Sequence, residues 1–97
     1  MKPTHIPCGD DIDDATFAHY CKLFGYTPKN RRLTNDEAAE LLGWKATTLE
    51  VKRVQGRGPR FVRVIGARRI QYTERDVIAF LGAGLTHSTS SEERATA

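Results

Sequence analysis

The chain has 97 residues and a formal net charge of +3. That length makes one domain with a modest core, and two cysteines, Cys8 and Cys21, are too few for a disulfide framework. No apolar run approaches the ~20 residues that span a bilayer, and no apolar leader with a cleavage site is visible, so the cytoplasm is the default compartment and both thiols are expected to be free.

In chain order, residues 1–11 carry Pro3, Pro7 and Gly9, have no period, and read as loose. Asp10, Asp11, Asp13 and Asp14 then precede a stretch in which Phe17, Tyr20, Cys21 and Phe24 recur at helical spacing. Acidic residues complement the positive end of a helix dipole, so a helix from about 13 to 24 is expected, stopped by Gly25. Its aromatic stripe is most simply a core face; the sharper alternative is a grip for a second copy. Residues 26–32 form a connector in which Pro28 prevents helix continuation and Lys29, Arg31 and Arg32 are available for phosphate.

Thr34-Asn35-Asp36-Glu37 fits a capping box, with hydroxyl and carboxylate each satisfying an amide at the helix start. Ala38, Leu41 and Leu42 give that helix an apolar side, Gly43 a left-handed stop, and the small Ala38 and Ala39 room for another helix. Trp44 reads as a cover over the following junction rather than a base-stacking platform. A second helix spans residues 45–55, with Leu49 inward and Gly56 as its stop. Lys45, Thr47, Thr48, Lys52 and Arg53 supply donors on or near its outer side. Two short helices across so brief a turn form a helix-turn-helix arrangement, whose second helix enters the DNA major groove. Lys suits guanine acceptors, and Thr offers both a hydroxyl and a methyl. Val51 and Val54 are unusual on such a helix; packing under the following hairpin is favoured over an exposed contact with a neighbouring protomer.

After the break at Gly58-Pro59, residues 61–65 and 68–72 read as two strands. Gly66-Ala67 between them suits a type II′ turn, a register that sets Phe61 opposite Tyr72. Both faces of this hairpin mix apolar and basic residues, so the pattern leaves open which is buried. An arginine-rich ribbon beside a recognition helix is a wing, from which Arg60, Arg63, Arg68 and Arg69 can follow the phosphate backbone or enter the minor groove. Thr73 and Asp76 cap a last helix carrying Val77, Ile78, Phe80 and Leu81, stopped by Gly82-Ala83-Gly84.

Charge follows this organisation. Residues 45–75 hold nine Lys or Arg against Glu50 and Glu74 alone, about +7. Such a stripe suits a polyanion; the bland reading is a solvated face. The expected fold is mainly α with a small β-hairpin wing. Residues 1–32 form an extension with one helix, 33–84 a winged helix-turn-helix domain, and 85–97 a polar, aperiodic, disordered tail.

Residues 33–81 resemble the compact winged-helix DNA-binding domain shared by phage and mobile-element excisionases and by MerR-like regulators. The resemblance is carried by Leu33-Thr34 with Ala38-Ala39-Glu40-Leu41-Leu42-Gly43, Thr48-Leu49, and Gly58-Pro59 with Phe61. Ile65-Gly66, Arg68-Arg69-Ile70 with Tyr72, and Asp76-Val77 with Phe80-Leu81 complete it. It implies an excisionase, or recombination directionality factor: a protein without catalytic residues, acting on double-stranded DNA in the bacterial cytoplasm. Such proteins bind adjacent attachment sites cooperatively, bend the DNA, and help an integrase, here of the tyrosine type, to excise a prophage or mobile element. It places Thr47, Thr48, Lys52 and Arg53 on the recognition helix and Arg63, Arg68 and Arg69 on the wing. Many relatives have Ser where this chain has Lys45, an aromatic at Lys52, and basic residues at Glu50 and Val51, so base preference does not carry over. A small transcriptional regulator built on the same domain is the alternative. A MerR-type sensor is disfavoured, because no long dimerisation helix follows Leu81.

A third reading, a metal-binding module using His5, Cys8, His19 and Cys21, has the right ligand types. However, His19 and Cys21 lie two apart on a predicted helix and point to opposite sides. An enzyme is not expected: no nucleophile–base set or phosphate-cradling glycine loop is present, and no cofactor or metal is implied.

Overall fold

The computed structural model describes residues 6–85; residues 1–5 and 86–97, and with them the expected disordered tail, lie outside the described residues. The chain runs α1 (Asp14–Phe24), β1 (Leu33–Thr34), α2 (Asn35–Leu42), α3 (Ala46–Gln55), β2 (Val62–Arg63), β3 (Ile70–Tyr72) and α4 (Glu74–Gly82). It is mainly helical, with one small antiparallel sheet in the order β1-β3-β2.

The helix ends follow from the residues anticipated. Asp13 accepts the Thr16 amide at the start of α1, and Thr73 accepts the Asp76 amide at the start of α4. The capping box at α2 is complete: Glu37 N–H donates to the Thr34 hydroxyl and Thr34 N–H to the Glu37 carboxylate. Gly43 ends α2 at φ +79°, where an L side chain is strained. The next amide, from Trp44, returns to Ala39 O at 2.9 Å, so α3 starts after a turn of only three residues.

The core is a cluster of Leu33, Ala38, Ala39, Leu49, Tyr72 and Val77, with Trp44, Phe61 and Ile70 packed against it. Ala38 and Ala39, essentially inaccessible, lie where α2 meets α3 and α4. Trp44 covers this junction as expected, its ring edge-on to Phe80 at 6.0 Å.

The hairpin keeps its expected register: Val62 faces Gln71, Arg63 faces Ile70, and the Phe61 and Tyr72 rings lie 6.4 Å apart. Its turn differs. Ala67 N–H donates to Val64 O at 3.1 Å, and Gly66 takes φ +88° at the third turn position. This is the requirement of a type II turn on Ile65-Gly66, not a type II′ turn on Gly66-Ala67. The glycine supplies the same positive φ one place later, and Ile65 leaves the ladder for the tip. β1 was not anticipated, because two residues carry no alternation to read; it pairs Leu33 with Tyr72.

Two further expectations are corrected. The described part of the N-terminal segment is anchored, not loose. Cys8 and Gly9 are buried, and Gly9–Asp11 forms a 3-10 turn. Gly9 N–H donates to Asp76 Oδ1 at 2.7 Å, while Arg75 donates to Gly9 O and Ile12 O at 3.3 and 3.0 Å. Buried polar groups on α4 need partners, and the preceding chain supplies them. Val51 and Val54 do not pack under the hairpin. They are 53% and 84% exposed, because Leu49 turns the opposite face of α3 into the core.

Candidate nucleic-acid interface

The side of the molecule formed by α3 and the hairpin is organised around the Phe61 ring. Arg53, from the last turn of α3, places its guanidinium carbon 5.9 Å from the ring centroid. Arg63, from β2, lies 6.0 Å from the same centroid. Through this ring α3 and β2 are neighbours. Beneath them Gly58 and Pro59 are buried, and a Cβ on Gly58 would meet Lys52 Cβ at 3.5 Å and Leu49 at 3.7 Å. The loop therefore passes close against α3 and brings the hairpin back beside it.

The basic side chains singled out from the sequence divide into two groups. Arg53 and Arg60 are engaged within the fold. Arg53 donates to the Asn35 side chain at 3.1 Å and to the Tyr72 hydroxyl at 3.2 Å, tying α2, α3 and β3 together. Arg60 pairs with buried Asp76 at 2.9 Å and with Asp10 at 3.0 Å. Those hydrogen bonds hold its guanidinium firmly protonated, well above the usual range, with Asp76 the largest cause. Arg75 pairs with Asp14 at 2.6 Å.

The second group is turned outward. Among the described residues, Lys45, Lys52, Arg57, Arg63, Arg68 and Arg69 form no ion pair with a carboxylate. Lys45, Arg57, Arg63, Arg68 and Arg69 are exposed. Lys52 is half-buried, its ammonium 5.9 Å from the Trp44 centroid, which holds it on one flank of α3. Thr47 is exposed and Thr48 half-buried. Facing directly away from Leu49 are Thr47, Val51 and Val54, with Glu50 and Gln55 exposed on either side. Val51, Val54 and Gln55 were outside the donor set read from the sequence; the seven-residue spacing of Thr47, Val51 and Val54 on one helical line was the available signal. The hairpin tip carries Ile65, 95% exposed, beside Arg68 and Arg69.

The connector cations are partly engaged. Arg31 makes a bidentate contact with Glu37 at 2.9 and 2.7 Å. This contact, foremost, draws the Glu37 carboxyl down from 4.5 to about 2. Buried Glu74 holds the rest of the connector, accepting from the Tyr26 hydroxyl and from the Lys29 and Asn30 amides at 2.7 and 3.0 Å. Burial and that carboxylate push the Tyr26 phenol well above its ordinary range.

Cys8 and Cys21 are free and buried, and burial pushes the Cys21 thiol up, which fits helix core rather than a nucleophile. Among the described residues no three His, Cys, Asp or Glu side chains are grouped to hold a metal ion; His5 lies outside them. No helix among them is long and apolar enough to cross a membrane. Comparison with protein-family models, curated proteins and solved structures returns no match.

Proposed function

We propose that this chain is a DNA-binding protein of the winged helix-turn-helix type: α3 enters the major groove and the β2–β3 hairpin lies along the adjacent backbone or minor groove. The observation that carries this reading is the pairing of Arg53 and Arg63 around Phe61, which sets helix and ribbon side by side. Six cations without carboxylate partners among the described residues lie at the start of α3, on α3, on the hairpin and on the loop between them. Phosphate contacts from such side chains position a protein on the duplex, and helix side chains read base edges.

Within that class the proposed role is that of an excisionase, supported by the sequence resemblance over residues 33–81. A single small domain has a short footprint, and bending a short site costs of order 1–6 kcal/mol. Several protomers bound side by side offset that cost through their phosphate contacts and through contacts with one another. Titration of the full chain with duplex oligonucleotides at low ionic strength tests DNA binding; absence of association overturns it. Addition of the chain to a cognate integrase and its attachment-site DNA tests the role. Increased excision is expected, and unchanged excision with retained DNA binding leaves a regulator.

A further inference from the structure

The structure assigns the base-reading surface of α3 to an apolar ridge rather than to its lysine and arginine. We infer that Thr47, Val51 and Val54 recognise thymine 5-methyl groups in the major groove; the inference rests on the DNA-binding reading above. The three residues lie along the helical line that faces away from buried Leu49, with Val51 53% and Val54 84% exposed. All three are β-branched and present methyl groups. At 1.5 Å rise per residue the line is roughly 10 Å long, about three base-pair steps of ~3.4 Å.

The two basic side chains of α3 are not placed for this task. Arg53 is turned to Asn35 and Tyr72, and Lys52 is held over Trp44. Positive charge reaches the ridge from its two ends, where Lys45 and Arg57 are exposed just before and just after the helix, while Glu50 and Gln55 lie along its flanks. Apolar contact with the thymine methyl is one of the few ways an aliphatic side chain reads sequence. A second copy of the chain docked on the same ridge would bring Lys45 and Arg57 at its ends against their equivalents, and like charges brought together oppose association.

Selection of duplexes by the full chain from a randomised pool, followed by replacement of each selected thymine with deoxyuridine, tests the assignment. The expected motif contains two or three thymines within three successive steps. Each replacement under the ridge lowers affinity about fourfold, the effect of one methyl leaving an apolar contact. Val51→Ser with Val54→Ser, both exposed and therefore compatible with folding, loses the thymine preference at the steps under those two residues, keeps it at the step under Thr47, and keeps its affinity for random DNA. Equal affinity of the unaltered chain for both duplexes overturns the inference and leaves DNA binding standing. A double variant that keeps the thymine preference at every step but loses self-association in sedimentation assigns the ridge to a second copy, and overturns it too. No association with any duplex overturns the inference together with the reading beneath it.

Discussion

Arg60 and Arg68 read alike in the sequence, as arginines on or beside a basic hairpin, but their surroundings differ. Arg60 is half-exposed, yet it compensates a carboxylate on Asp76 that is 2% exposed. Removing one partner from a buried charge leaves the other uncompensated. Arg60→Ala is therefore expected to destabilise the fold by about 1–3 kcal/mol, discounted for the solvent screening of its guanidinium. Urea denaturation measures this, and DNA affinity of the folded fraction should change little. Glu37 supplies a pH-dependent counterpart. Its carboxyl is lowered from 4.5 to about 2 by Arg31 and by the Thr34 cap. A depressed folded-state value means that its contribution is complete above pH 4.5 and is lost as pH falls toward 2. Glu37→Gln should flatten the pH dependence of stability in that window and leave it unchanged near neutrality; an unaltered acid limb would count against the cap as its source.

At the scale of elements, the contact between α1 and α4 depends on one missing side chain. A Cβ on Gly82 would overlap the Tyr20 ring. The ring is half-buried between the two helices, so the helices would have to part. Gly82→Ala is expected to cost about 1–3 kcal/mol, an overpacking effect. Gly84→Ala is the control: its Cβ meets nothing nearer than 3.4 Å. Similar stability of the two variants in thermal denaturation would show that α1 yields easily. This contact bears on the interface, because α4 also carries Asp76 and Glu74, which hold the N-terminal segment and the connector in place. The aromatic stripe of α1 thus takes the simpler of its two readings on the α4 side, with Cys21 buried there and Leu23 left exposed.

For the whole molecule, the net charge of +3 understates the field that a polyanion would meet. Ion pairs remove Arg31, Arg60 and Arg75 from it, while the hairpin, the ends of α3 and the loop between them keep theirs. Salt dependence counts the phosphates neutralised, with a slope near −0.9 per contact. Arg68→Ala with Arg69→Ala should therefore weaken binding to all duplexes and reduce the slope by about 2. Arg60→Ala should leave the slope unchanged. Affinity measured from 50 to 200 mM salt separates these outcomes, and an unchanged slope for the double variant would remove the wing from the interface.

Local rules determined much of this chain without help. The caps at Thr34 and Thr73, the stops at Gly25, Gly43 and Gly56, and the hairpin register each depend on residues within a few positions of one another. Tertiary structure alone decided which cations remain available. The partners of Arg60 lie 16 and 50 residues away, and the hydroxyl that engages Arg53 lies 19 away. It also decided that Val51 and Val54 face outward, because a helix ten residues long offers several apolar stripes and only the packing of Leu49 fixes which one is buried. Periodicity is a property of neighbours along the chain, whereas charge neutralisation and facing are properties of neighbours in space.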